Sequence, residues 1–281
     1  SGAGSAINSG DADGTVAIGY QAGYAITSGQ GNVAIGYGAL DAEDDGDFNT
    51  AIGYAALSAQ TGTAGEMGST AMGYKAGTSL TTGKGNTLLG YDAGRYQTTQ
   101  TYNTVVGWQS SKRNYKGEHR VTIGAEAGHY STGSYNTFIG SAAGQGGTTS
   151  APFSSGGGNV AVGSAALTAF TTGEYNIAIG LNTLSSGTTA TYNTAVGDHA
   201  APSITTGNSN VAIGRATLYS LTTGNNNVAV GKDAGQKVIG SDNVHIGQEA
   251  GEFASGSYNT FVGSEAGYGG TTSAPYSSGE E

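Results

Sequence analysis

Six aromatic residues each follow a glycine at nearly constant spacing, and they are the clearest candidates for a binding surface. In a chain that returns to the same place once per repeat, such residues stand above one another. Their rings then either stack into a ladder or offer their faces to a sugar ring. We favour the stacked ladder, because stacked aromatic residues are common in regular β structure, and we keep a glycan-binding stripe as the alternative. The six residues are Tyr20, Tyr37, Tyr54, Tyr74, Tyr91 and Trp108.

A short basic segment, 112–120, is a second candidate, since it carries four of the ten lysine and arginine residues of an acidic chain. A local excess of positive charge can contact an acidic or phosphorylated glycan. A solvated loop is the more common role of such a charge run, and we favour it. The candidate anion contacts are Lys112, Arg113, Lys116 and Arg120.

The acidic turn 41–47 has carboxylates at the spacing that begins a calcium loop, at Asp41, Glu43 and Asp45. Such a loop ends in a bidentate glutamate, and Ile52 occupies that position here. We therefore predict an exposed acidic turn and no metal site.

Catalytic patterns are weak in this sequence. The histidines do not recur at matching positions of the repeat, and His199 beside Asp198 does not make a triad without a correctly placed nucleophile. We predict no catalytic residue and no cofactor, and therefore a protein that is not an enzyme. The four histidines are His119, His129, His199 and His245.

Composition excludes several classes of protein. The 281 residues include 52 Gly, 3 Pro and no Cys, which does not fit a collagen triple helix, a disulfide framework or a thiolate metal site. No apolar run approaches the ~20 residues that span a membrane. A net charge of −10 argues against nucleic acid as the main partner. We predict neither nucleic-acid binding nor membrane insertion.

The elements that position these residues are copies of one five-residue sequence motif, which we call the word. The word begins with Asn in twelve of its 15 copies and ends in Gly, and most steps between copies are 16 or 17 residues. Longer loops at 58–69 and 145–158 interrupt this period. Such a short period predicts stacked coils, here an all-β parallel β-solenoid, or β-roll, of about 15 coils. The closing glycines are Gly19, Gly36, Gly53, Gly73, Gly90, Gly107, Gly124, Gly140, Gly163, Gly180, Gly197, Gly214, Gly231, Gly247 and Gly263.

Within each word, aliphatic or Thr residues flank a central residue that is usually Ala. This alternation predicts a short strand with one buried face. We assign the flanking residues to the buried face, and the Ala and Gly residues to an outer face that can pack closely against a neighbour. A second segment, such as Ala39-Leu40, predicts a second strand in each coil.

The asparagine that opens the word predicts a ladder of side-chain amides, one in each coil. Such a ladder can bond its own coil and the next one. The three words without Asn begin with Thr15, Ser69 and Arg120.

The repeats predict one continuous domain over 15–268, preceded by a lead-in or capping segment at 1–14. The loop at 145–158 recurs almost unchanged at 269–279, which indicates a larger unit of seven coils. We interpret 269–281 as the truncated start of a further repeat and expect the chain to be part of a longer protein.

The word Asn-Thr/Val-Ala-Ile/Val-Gly, followed by Tyr-Xaa-Ala-Leu and Thr-Thr-Gly, resembles the repeat region of phage and viral tail-fibre proteins. It is also similar to the head repeats of trimeric autotransporter adhesins, and the resemblance covers about 14–267. It implies a homotrimer of left-handed β-rolls in a virion tail fibre, with a host-surface glycan as the expected receptor. The adhesin resemblance implies an extracellular or bacterial cell-surface location. The 17-residue period favours the tail-fibre branch.

We therefore predict the structural shaft and attachment segment of a trimeric tail fibre, which presents loops or a tip to a host-surface receptor. The head of a bacterial surface adhesin is one alternative. A depolymerase that acts on surface polysaccharide is another, and no motif points to it. An ice-binding solenoid is a further alternative, because ranks of Thr on a flat face can order water. The Thr rank is Thr50, Thr70, Thr87 and Thr104.

Overall fold

A computed structural model describes residues 2–7, 13–62, 65–147 and 154–268. It confirms the all-β prediction: the described residues contain no helix and form a parallel β-solenoid of about 14 turns with a period of about 17 residues. The predicted start of a further repeat at 269–281 lies outside the described residues, as do 63–64 and 148–153 in the two long loops.

The chain divides into two compact units, Ser1–Asn136 and Thr137–Glu281, and each is built from the same coils. The strands of the first unit are β1 (Val16–Ile18), β2 (Val33–Ile35), β3 (Gly46–Asp47), β4 (Thr50–Ile52), β5 (Gly65–Glu66), β6 (Thr70–Met72), β7 (Thr87–Leu89), β8 (Thr104–Val106) and β9 (Val121–Ile123). The strands of the second unit are β10 (Thr137–Ile139), β11 (Val160–Val162), β12 (Ile177–Ile179), β13 (Thr194–Val196), β14 (Val211–Ile213), β15 (Val228–Val230), β16 (Val244–Ile246) and β17 (Thr260–Val262).

Equivalent residues of successive coils pair in parallel register, as Ala195 pairs with Ala212. In the first unit the sheet order is β1-β2-β4-β6-β7-β8-β9, and β3 pairs with β5 in a separate two-stranded sheet. In the second unit β10 to β17 pair in sequence order. Each three-residue strand therefore takes its hydrogen bonds from neighbouring coils.

The prediction of a second strand in each coil is wrong. The segment after each closing glycine consists of turns, and alternate residues in it take left-handed backbone, as at Ala55 (φ 51°) and Leu57 (φ 48°). Left-handed residues two positions apart fold the chain back on itself, which an extended strand does not allow. Only the coils around the 58–69 loop add second strands, β3 and β5, in the described part of the chain.

The strands bury the face that was predicted to point outward, and expose the face that was predicted to be buried. The central alanines, such as Ala34 and Ala195, are 0% exposed, whereas the flanking residues are half-buried or exposed, as Ile213 is at 40%. A 17-residue coil encloses a narrow interior, already occupied by turn residues such as Leu57 and Leu218. Because little room remains, the small side chain lies inside and the large ones point outward.

Two large exceptions to the central alanine, Phe138 and Phe261, are matched by glycines on the facing turn. Phe138 of β10 is fully buried and packs against Phe170, with 5.6 Å between ring centroids. A Cβ atom on Gly144 would overlap the Phe138 ring, and one on Gly267 would overlap the Phe261 ring. These phenylalanines therefore fill the interior of their own coils.

The asparagine ladder is confirmed. The Oδ1 atom of Asn193 accepts the backbone N–H of Asn210 in the next coil at 2.9 Å. Its Nδ2 atom donates to the Gly207 carbonyl, 2.8 Å away, which closes its own coil. Ser69 replaces the amide with a hydroxyl that accepts from Asn86 N–H at 3.4 Å. The ladder residues are buried, so they supply hydrogen bonds where water cannot.

The closing glycines permit the coils to approach one another. All fifteen have φ between 128° and 136°, a region that side chains rarely allow. A Cβ atom on Gly197 would lie 2.5 Å from the carbonyl oxygen of Gly214, the closing glycine of the next coil. The word therefore ends in glycine for both conformational and steric reasons.

Candidate functional site

The predicted aromatic ladder forms in five of its six residues. Successive ring centroids lie 5.0–5.3 Å apart, with interplanar angles of 9–21°. Trp108 makes no ring contact in the described part of the chain. The stacked residues, in order, are Tyr20, Tyr37, Tyr54, Tyr74 and Tyr91.

Stacking limits what this ladder can bind. Each inner ring has a neighbouring ring on both faces, and the Lys75 ammonium lies 5.1 Å from the centroid of Tyr74. The ladder therefore exposes ring edges and hydroxyl groups, because its flat faces are covered. A sugar ring stacks on a face, so the geometry favours a structural role for Tyr37, Tyr54 and Tyr74.

A second series of residues, which we call the turn row, lies directly before the asparagine-ladder position that opens each word, as Tyr102 precedes Asn103. They take left-handed backbone, as at Tyr102 (φ 56°) and Tyr135 (φ 61°). His119 stacks between these two rings at centroid distances of 5.1 and 5.3 Å. The signal in the sequence for His119 is its position directly before Arg120, which opens its word.

Glycines interrupt the turn row, and neighbouring aromatic rings lean over them. A Cβ atom on Gly31 would lie 2.8 Å from the Phe48 ring, and one on Gly85 would lie 2.8 Å from the Tyr102 ring. Above Gly68, by contrast, no atom of the described residues lies within 4 Å of such a position. The row therefore has a local opening at Gly68.

The basic segment does not form one accessible patch. Arg120 is buried inside its coil, where its Nη1 atom donates to the Ser131 carbonyl at 2.7 Å, and burial lowers its pKa to about 9. Its assignment as a surface anion contact is therefore wrong. The Lys112 ammonium lies 2.9 Å from the Asp92 carboxylate, and the Arg113 guanidinium lies over the Tyr130 ring. Lys116 remains exposed.

The prediction of an exposed acidic turn is wrong for Glu43, which is fully buried. Its Oε1 atom accepts backbone N–H groups from Asp44, Gly46 and Gly62 at 2.9–3.1 Å. Burial raises the pKa of Glu43, and these three hydrogen bonds oppose that shift. The carboxylate therefore ties the 58–69 loop to the preceding coil. No group of three potential metal ligands occurs in the described ranges.

The adjacent pair Asp198 and His199 lacks a nucleophile. The His199 Nδ1 atom lies 2.6 Å from the Asp198 carboxylate, and its Nε2 atom lies 3.3 Å from the Asn182 amide nitrogen. A triad places a hydroxyl or thiol at that second nitrogen. The two side chains therefore form a surface hydrogen-bonded pair.

His245 is the central residue of β16, and it is fully buried. Neither ring nitrogen has a hydrogen-bond partner among the described residues, and the ring packs against Phe261. Burial lowers the pKa of His245 to about 4. The folded protein therefore holds this imidazole neutral in conditions where an unfolded chain protonates it.

We expect the free energy of unfolding to fall as the pH drops from 6.5 towards 4. Over that range the unfolded His245 binds a proton that the folded one excludes, which amounts to a loss of about 3 kcal/mol. In His245→Leu this contribution should be absent, because leucine carries no titratable group and Leu88 fills the equivalent position of β7. Buried His129, whose pKa burial also lowers to about 4, keeps its own contribution in both proteins. Urea unfolding at a series of pH values measures the effect. Exposed His199→Gln is the control, and an unchanged acid profile in His245→Leu would contradict the assignment.

The outer sheet face, which we define as the first and third residues of the three-residue strands, is uncharged throughout. All of these residues are Val, Ile, Leu, Met or Thr. Several large members are substantially exposed, including Met72 at 48% and Ile179 at 39%. A regular apolar surface of this kind is typical of a contact with another protein surface.

No protein-family model matches the chain, and no curated protein matches it. Among the described residues, no helix is long and apolar enough to cross a membrane.

Proposed function

We propose that this chain is a structural and attachment segment of a homotrimeric fibre, of the kind found in virion tail fibres. The observation that carries the proposal is the outer sheet face, whose uncharged residues continue from coil to coil in each unit. Its exposed apolar area is removed from water if copies of the chain pack face to face. The resemblance of the repeat word to tail-fibre repeats supplies the number three and the role in attachment.

A solenoid coil gains little stability alone, because each coil encloses only a few apolar side chains. Association through the outer sheet face adds buried aliphatic area without requiring a new structural element. It also covers flat β structure that would otherwise promote non-specific aggregation. No catalytic step belongs to this proposal, and a bacterial surface adhesin head would use the same association.

Light scattering after size exclusion tests the proposal directly, with an expected mass near three times 27.7 kDa. We expect the double variant Ile179→Glu/Ile213→Glu to lose association, because each carboxylate would be desolvated without a partner. Ile239→Glu is the matched control, since Ile239 is equally apolar and 61% exposed but lies outside the strands. A wild-type monomer, or an equal effect of both substitutions, would contradict the proposal.

An ice-binding surface is the second candidate, because Thr50, Thr70 and Thr87 stand at the first, outward position of paired strands. Regular hydroxyl spacing on a flat sheet can order water. Thermal hysteresis in a monomeric sample would favour this function over the fibre. Its absence in such a sample would exclude ice binding.

A further inference from the structure

The opening in the turn row at Gly68 belongs to a cavity of about 560 Å³, which we call the notch. Sites for small molecules fall in the range of roughly 300–1,000 Å³. The notch lies within the first unit, between residues 65–68 and the following coil. Its lining includes Glu66, Gly68, Thr82, Lys84, Gly85 and Tyr102.

Tyr102 supplies a flat wall to the notch. One face of its ring is covered by His119, and on the opposite side the Gly85 backbone lies beneath the Cδ1–Cε1 edge and contributes no side chain. The side chain is half-exposed. The inner rings of the tyrosine ladder, by contrast, have a neighbouring ring on each face.

The polar groups of the notch stand on a fixed backbone. The Lys84 carbonyl accepts the Tyr102 N–H at 3.0 Å and the Asn86 amide at 3.3 Å. Met67 is buried, and its N–H donates to the Asp47 carbonyl at 3.2 Å. The loop is also tied to Glu43 through Gly62 N–H. The site is therefore largely preformed, which lowers the entropy lost on binding.

We propose that the notch binds one pyranose ring of a surface glycan. A pyranose has an apolar face that can lie on Tyr102 and equatorial hydroxyl groups that can bond to Thr82 and to charged side chains. Glu66 and Lys84 carry opposite charges, which suits a neutral polyol better than a phosphate or another strongly charged ligand. This inference rests on the proposed attachment function and identifies the class of receptor.

Gly68→Tyr provides a test that fills the notch without breaking the fold. Gly68 has φ 56°, a conformation that Tyr102 and Tyr135 adopt at equivalent positions, and within the part of the chain that the structure describes no atom lies within 4 Å of its Cβ position. Ser209→Tyr is the matched control, because Ser209 holds the same turn-row position with φ 58°. Tyr102→Ala removes the flat wall itself.

Binding is measured by saturation-transfer NMR with a panel of neutral, N-acetylated and uronic-acid oligosaccharides at millimolar concentration. We expect wild-type protein and Ser209→Tyr to bind members of the panel, with binding at least about tenfold weaker in Gly68→Tyr and Tyr102→Ala. Circular dichroism confirms that each variant is folded.

Absence of wild-type binding across the panel overturns the notch assignment, as does binding that Gly68→Tyr leaves unchanged. The second outcome would place a sugar site elsewhere on the chain. Light scattering on the same samples separates the two proposals. A trimer that binds no sugar removes the notch and keeps the fibre, whereas a monomer that binds through the notch removes the fibre.

Discussion

Replacing Gly197 by alanine is expected to destabilise the second unit by roughly 3–6 kcal/mol. At φ 134° an L-residue is strained by about 1–3 kcal/mol. The new Cβ atom would also lie 2.5 Å from the Gly214 carbonyl oxygen, so the next coil must move. That movement weakens the 2.8 Å hydrogen bond from Gly214 N–H to the Val196 carbonyl. Urea unfolding followed by circular dichroism, at a fixed protein concentration, measures the loss.

Gly263→Ala separates backbone strain from steric overlap. Gly263 has nearly the same φ, 129°, but the nearest described atom to its Cβ position is the Ala266 Cβ at 3.7 Å. We expect this variant to lose only the strain component, about 1–3 kcal/mol. Equal losses at Gly197 and Gly263 would show that the contact between coils contributes nothing.

Replacing Asn193 by alanine is expected to destabilise the second unit by roughly 3–5 kcal/mol. The variant leaves the Gly207 carbonyl and the backbone N–H and side-chain amide of Asn210 without their partners at Asn193. Asn193 and Asn210 are buried, so water cannot replace these bonds freely, and each unsatisfied group costs about 1–3 kcal/mol. Hydrogen exchange should show the largest loss of protection in β13 and β14.

Two further variants test whether the ladder geometry is responsible. Asn193→Ser should retain part of the stability, because Ser69 performs the same role in its own coil with a hydroxyl. Asn226→Gly, at an exposed turn-row position where other coils carry glycine, should change stability little. If Asn193→Ala is no more destabilising than Asn226→Gly, the buried amides are not a stabilising ladder.

The repeat predicted the architecture well, because the period and the closing glycines constrain the backbone directly. The wrong assignment of the strand faces has a physical origin. Alternation shows that Ala34 and its flanking residues lie on opposite faces, but it does not show which face is inside. The width of the coil interior decides which face is inside. That width depends on how much of the interior the turn residues fill. The left-handed residues Leu57 and Ala55 carry no distinctive signal, so the second strand was wrongly predicted.

Some candidate site residues were predicted correctly from the sequence, and others were not. The tyrosine ladder follows from spacing, since equivalent positions of successive coils lie above one another, although Trp108 does not stack on Tyr91. Arg120 was misplaced because a charge run indicates solvent exposure, whereas its place in the asparagine ladder turns the side chain inward. The notch depends on the course of the 58–69 loop and on two absent side chains, at Gly68 and Gly85. An insertion signals that a loop exists but not the space that it encloses.

The in-register pairing of equivalent residues creates an ambiguity during folding. A shift by one whole coil again places Asn on Asn and glycine on glycine, so most of the chain does not distinguish neighbouring alignments. Irregular coils must resolve this degeneracy. Phe138 packs against Phe170, and Glu43 accepts a hydrogen bond from the loop residue Gly62, so each contact identifies one alignment. The irregular coils thus specify the register in which coils pair. A solenoid made only of identical coils would sample misaligned states as it folds.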